Sequence, residues 1–295
     1  MTDLTYGAST IKRARRSKTR VEQLDAQIID VLSVDHPQSV RHVFYRMTDP
    51  RLPEPVEKSE RGYRAVQERL KKLRRAGRVP YAWVTDASRR GYFVSTFDGP
   101  TDFLNRMKGQ YRADLWRDAG AYVEVWTESR SIAGVIQGLC EELAVSLYPA
   151  GGFASISLAA EAAAYINAKA EGLPAWIFYV GDYDPAGVLI DQALERELRR
   201  HLAESVQLNF VRVGITPQQI EIFDLPRKPR KVSDRRSLHV TETVEAEALP
   251  AGILRDLLRF EIEALLPEHA MAVARVEEES ARAYFDRIAD LGGTA

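Results

Sequence analysis

The chain has 295 residues, of which 45% are hydrophobic and 28% charged. That is about two domains' worth, and the balance excludes a disordered or fibrous protein while leaving room for a sizeable core. The formal charge of −1 conceals an uneven distribution: residues 1–120 hold 24 Lys and Arg against 15 Asp and Glu, and residues 121–295 hold 17 against 27. A basic half of +9 joined to an acidic half of −10 points toward nucleic-acid contact. The single cysteine, Cys140, excludes an intrachain disulfide and a thiolate metal cluster, as suits a reducing compartment. No apolar stretch reaches the roughly 18–20 residues of a membrane span, and the opening MTDLTYGAST has no apolar signal core, so a cytoplasmic protein without membrane contact is expected.

Residues 1–20 form a basic tail, ending in IKRARRSKTR with six basic residues in ten; it is equally a solvated tail or a DNA-touching arm. From Val21, Leu24, Ile28, Ile29, Val31 and Leu32 recur at helical spacing as far as His36-Pro37. Ser39 can cap a second short helix carrying Val40, Val43, Phe44 and Met47, with His42 at its surface or in a groove. Asp49–Pro55 reads as a loop, and a third helix spans Ser59–Ala76, closed by Gly77. Its apolar stripe is Tyr63, Val66, Leu70 and Leu73; Arg61, Arg64, Arg69, Lys71, Lys72, Arg74, Arg75 and Arg78 cover the rest, too many cations for a salt-bridged face. Tyr81–Thr85 and Gly91–Thr96 read as two strands around the polar turn Asp86–Arg90. This order predicts a winged helix-turn-helix over 21–100, whose basic third helix enters the major groove of double-stranded DNA.

A connector helix is expected over 101–119, within a linking segment 101–120. Strands and helices then alternate: Tyr122–Thr127, Ser131–Glu142, Val145–Tyr148, Ser157–Ala170, Ala175–Gly181, Ala186–His201 and Leu208–Val213. The alternation predicts an α/β domain over 121–266, a mostly parallel sheet with helices on both faces. Leu225–Arg236 reads as a long basic loop, one helix ends at Glu261–Leu266, and a C-terminal helix occupies 267–295.

Catalytic groups in such sheets gather at the carboxyl ends of strands. There the first strand delivers Glu128, and the third ends in Gly181-Asp182-Tyr183-Asp184. Two carboxylates at i and i+2 repel one another, and a hard divalent cation such as Mg²⁺ removes the repulsion. Phosphatases with an aspartate nucleophile also use Asp-x-Asp, but on the first strand of the domain, with a lysine downstream. The bland alternative is a capped turn with two surface aspartates. Glu245 and Glu247, in VEAEALP, either join this group or form an acidic turn.

A strand-end glutamate followed two strands later by Asp-x-Asp resembles the Toprim domain of topoisomerases, primases and some nucleases. With a winged helix before it, and with Arg41-His42-Val43-Phe44-Tyr45 in the second helix, the chain is similar to the topoisomerase VI A subunit and meiotic double-strand-break protein family, and to the nuclease subunit of the Wadjet defence system. The resemblance, over about residues 21–265, implies that Tyr45 is the DNA-cleaving nucleophile and Arg41 its supporting arginine. It also implies that Glu128, Asp182 and Asp184 hold Mg²⁺, with Glu128 a possible general acid. Phe44 replaces the first of two tyrosines and Ser129 a glycine common after the glutamate. The implied protein is a homodimer, Tyr45 of one chain meeting the metal of the other, with an ATPase as a possible partner. Hydrolytic DNA cleavage without Tyr45 and an inactive DNA-binding, partner-docking module are the alternatives.

Overall fold

The computed structural model describes residues 16–85, 94–108, 110–151, 156–230, 237 and 240–292. The first helix, α1 (Lys18–Val34), starts three residues earlier than expected because the Ser17 side chain accepts the Arg20 amide and caps it. A two-residue strand β1 (Gln38–Ser39) leads into α2 (Val40–Met47), capped by Ser39, and a loop leads to α3 (Glu60–Arg75), capped by Ser59. Their apolar stripes meet: Leu24, Ile28, Val43, Met47, Val66 and Leu70 are almost completely buried. Gly62 is required where α3 crosses the preceding loop, since a Cβ there would lie 2.0 Å from the Glu57 carbonyl oxygen.

The segment after α3 departs from the expected ribbon. Tyr81–Trp83 form a 3₁₀ turn, and only β2 (Val84–Thr85) is extended. It pairs in parallel with β1. Asp86–Phe93 lie outside the described residues, and Val94–Thr96 belong to no strand. The connector is also shorter than its pattern suggested: α4 spans Pro100–Lys108, and residues 111–119 are turns and irregular chain.

The acidic half is the expected mixed α/β unit. Strands β3 (Tyr122–Thr127), β4 (Ser146–Pro149), β5 (Ala175–Val180) and β6 (Leu208–Gly214) form a parallel sheet of order β4-β3-β5-β6. The connecting helices are α5 (Arg130–Glu142), α6 (Ile156–Ala170) and α7 (Gly187–His201). Side chains alternate along each strand: Val123 and Val125 of β3 and Phe178 and Val180 of β5 join one core, while Trp126, Ile177 and Tyr179 join the other. The second core lies under α6 and α7. The first lies under α5 and runs without a break into the N-terminal helices, so the two halves share a hydrophobic interior.

After β6 come α8 (Pro217–Ile222), the short antiparallel pair β7 (Lys228–Pro229) and β8 (Glu242–Thr243), and α9 (Ala251–Glu263). The expected loop therefore contains a strand; its Lys231–Arg236 portion lies outside the described residues. The last helix, α10 (Ala270–Gly292), packs on α4, where Lys108 pairs with Asp286 at 2.5 Å. Arg255 of α9 pairs with Asp35 and donates to the Pro37 carbonyl, and the Gly252 amide donates to Asp35 at 3.0 Å. This polar seam fastens the N-terminal helices onto α9. No helix among the described residues is long and apolar enough to cross a membrane.

Candidate active site

Adjacent parallel strands bring two of the predicted carboxylates together. Thr127 and Val180 are register partners at the ends of β3 and β5, so the chain delivers Glu128 and Asp182 side by side. The Asp182 amide donates to Glu128 Oε2 at 3.1 Å. Asp184 turns toward α7, where its Oδ1 accepts the Ala186 and Gly187 amides at 2.8 and 2.6 Å, a carboxylate set against a helix N-terminus. Arg212, from β6, fixes the turn from below by donating to the Gly181 and Asp182 carbonyls, while pairing with Asp191 at 2.5 Å.

A later segment closes over this turn. Tyr183 and Val244 exchange two backbone hydrogen bonds of 2.9 and 2.8 Å, and the Ala246 amide donates to Asp182 Oδ1 at 2.8 Å. Glu247, nearly buried, accepts from the Ser131 hydroxyl. The crowding is visible in the acidities. Burial, then the charges of Glu128, Glu247 and Glu245, push Asp182 up to about 8; burial, with Asp184 and Glu247 adding, raises Glu128. No three Asp, Glu, His or Cys among the described residues converge on a ready-made metal cage.

On the other side of residues 244–247 stands α2. Tyr45 is only 4% exposed; burial and then the Glu245 carboxylate raise its pKa far above the usual phenol value. Arg41 donates to Glu245 Oε2 at 2.5 Å and Lys228 to Oε1 at 2.7 Å. These cations outweigh the effect of burial and hold Glu245 down at about 2. Lys58 and Lys228 both lie over the Tyr45 ring, 5.6 and 5.9 Å from its centroid. One chain therefore places Tyr45 and Arg41 against Glu245, and Asp182 against the next residue, Ala246. His42 is not a surface group: it is 1% exposed, hydrogen-bonded at 2.9 Å to Ser39 Oγ, and held down at about 3 by burial and by Arg46 and Arg255.

The basic face of α3 is less uniform than its composition. Arg69 makes a bidentate pair with Asp25, so it holds α3 to α1 and is removed from the set of free cations. Arg74 lies over the Tyr81 ring, Arg64 pairs with Glu60 and Lys71 with Glu68. Among the described residues Arg61, Lys72, Arg75 and Arg78 are exposed cations without an ion pair. At the tail, Arg16 and Arg20 both grip Glu54, at 2.8 and 2.7 Å, and the Gln27 side chain clamps the Glu54 backbone; residues 1–15 lie outside the described part.

Sequence reasoning had no grounds for singling out Lys58, Lys228 and Arg212. Their roles depend on contacts 13 or more residues away; only the acidic turn VEAEALP carried a readable signal for this neighbourhood. Comparison of the chain with family models, curated proteins and solved structures yields no match.

Proposed function

We propose that the chain is a Mg²⁺-dependent DNA-cleaving enzyme of the topoisomerase VI A-like type, built from a winged helix and a Toprim domain. The observation that carries the reading is the pairing of Arg41 with Glu245 at 2.5 Å next to the Ala246–Asp182 hydrogen bond of 2.8 Å. The residues named by the motif in α2 and those at the strand ends thus meet at one two-residue seam.

In this reading Tyr45 attacks a backbone phosphorus, forming a phosphotyrosine bond as the bond to the 3′ oxygen breaks and a 3′ hydroxyl leaves. Arg41, one helical turn earlier, holds the scissile phosphate. A phenol raised by burial is a weak nucleophile. DNA binding must therefore open this corner, and Glu245, too weak a base while Arg41 and Lys228 hold it, becomes a proton acceptor for Tyr45 only once those cations turn to the phosphate. Glu128, raised by burial and by Asp184 and Glu247, is suited to return a proton to the 3′ oxygen instead of holding the cation. The chemistry of the donors suits a hard cation although they form no ready-made cage: burial and the charge of Glu128 disfavour ionised Asp182, while burial, Asp184 and Glu247 act likewise on Glu128, and Arg212, whose hydrogen bonds go to carbonyls and Asp191, offsets this only in part. Bound there, Mg²⁺ would supply positive charge to the phosphate oxygens and the departing oxygen.

Hydrolysis by the acidic cluster with Tyr45 as a bystander is the second reading, favoured by the 4% exposure of Tyr45. Incubation with supercoiled plasmid and Mg²⁺ separates the two. A covalent protein–DNA adduct that disappears in Tyr45→Phe supports transesterification; cutting that survives Tyr45→Phe and vanishes in Asp182→Ala supports hydrolysis. DNA binding without cutting, in the presence of the ATPase partner, returns the chain to a docking module. A homodimer is the expected assembly and is checked by sedimentation.

A further inference from the structure

Beside Tyr45 is a cavity of about 260 Å³ whose wall includes Arg41, Lys58, Lys228 and Glu245. Three cations face one carboxylate, for Glu60, also at the rim, is taken by Arg64. Glu245 has an oxygen for each of Arg41 and Lys228. Lys58 is left with a carbonyl, donating to Arg227 O at 3.2 Å. Burial and the neighbouring Lys228 charge pull Lys58 down to about 8, so the chain holds positive charge here at a cost. An anion with several oxygens that can be shared among three donors relieves that cost, and a phosphodiester is such an anion.

We propose that Arg41, Lys58 and Lys228 form a phosphodiester-binding pocket beside Tyr45, in which Glu245 is the resident internal anion that a DNA phosphate displaces. The proposal rests on the DNA-cleavage reading for the identity of the anion, but not on cleavage itself. Two consequences follow from charge alone. Removing the Glu245 charge frees two donors for phosphate, and one phosphate neutralised in the pocket steepens the dependence of log K on log salt by about 0.9.

The test is a metal-free titration of a short fluorescent duplex against the full chain at several salt concentrations. Glu245→Gln, nearly isosteric, is expected to tighten binding roughly two- to fivefold, the scale of one partly exposed ion pair. A gain of this kind cannot come from misfolding. Lys58→Gln combined with Lys228→Gln is expected to flatten the salt slope by up to about 0.9, the share of one phosphate, and to diminish the gain from Glu245→Gln, leaving only what Arg41 contributes. Unchanged or weaker binding by Glu245→Gln overturns the proposal. So does a gain that persists undiminished when both lysines are removed, since that would be a general effect of net charge. Because no cutting is read, absence of a Tyr45 adduct leaves these outcomes intact and counts only against the cleavage reading.

Discussion

Arg69 of α3 and Asp25 of α1 face one another through two parallel hydrogen bonds, Nε to Oδ1 at 2.6 Å and Nη2 to Oδ2 at 2.5 Å, with Asp25 4% exposed. Truncating the arginine strands a buried carboxylate. Arg69→Ala should therefore lower stability by about 1–3 kcal/mol, less than a fully buried pair because the arginine keeps some solvent contact. Lys72→Ala, on the exposed face, should stay within about 0.5 kcal/mol while weakening duplex binding. Urea unfolding and a binding titration on the same two variants check this; equal stability loss in both would contradict it.

The contrast between those two residues marks how far the sequence could be read. Strand–helix alternation from Tyr122 to Gly214 reported the sheet because period and spacing are local properties of the chain. The acids Glu128 and Asp182 were legible because a parallel sheet places strand ends at one edge. Which of the seven cations on α3 were free was not legible: Arg69 is taken by a carboxylate 44 residues earlier, just as Arg41 of α2 is taken by one 204 residues later. Composition counts charges but carries no information about such partners. The described pairing of the expected ribbon's first strand was illegible for a related reason. Val84–Thr85 pair with Gln38–Ser39 across α2 and α3, and a two-residue strand leaves almost no alternation to detect.

The seam between Asp35 and Arg255 should carry measurable coupling. Arg255 also donates to the carbonyls of Pro37 and Val135, at 3.2 and 3.4 Å, so one guanidinium ties α1, the turn after it and α5 together. In a double-mutant cycle, Asp35→Asn and Arg255→Met should show an interaction energy of about 1–3 kcal/mol, read by denaturant unfolding. Strict additivity would show that the seam is dispensable and that the shared apolar core alone joins the halves.

Glu124 should give the fold a distinctive pH dependence. It is fully buried in β3, accepting from Tyr122 Oη and Trp126 Nε1, each at 2.7 Å. Burial raises it to about 7, against the lowering effect of those two donors. A carboxyl raised in the folded state binds its proton more tightly folded than unfolded. Its contribution is therefore fully present below the unfolded pKa near 4.5 and is lost as pH climbs to about 7, levelling off above. The loss is up to about 3 kcal/mol. The stability difference between the natural chain and Glu124→Gln, measured across that range, should fall and then become flat. A difference independent of pH would show that Glu124 ionises as an ordinary exposed carboxylate.

Gly187 is the position where a single methyl group should reach the candidate site without touching its chemistry. A Cβ there would lie 2.2 Å from the Asp182 carbonyl oxygen and 3.0 Å from its carbon, and backbone atoms have no flexible end to move aside. The same carbonyl accepts from Arg212, and the Gly187 amide itself donates to Asp184. Gly187→Ala must therefore displace the turn that carries both aspartates. We expect a stability loss of about 1–3 kcal/mol together with weaker divalent-cation binding and slower DNA cleavage. Gly138 in α5 is the control, since a Cβ there meets nothing within 4 Å. Gly138→Ala should stabilise by about 0.5–1 kcal/mol, because alanine favours the helix interior, and leave cation binding and cleavage unchanged. If calorimetry finds Gly187→Ala as tolerant as Gly138→Ala, the turn has room that the close approach to Asp182 denies, and its role in setting the acidic cluster fails.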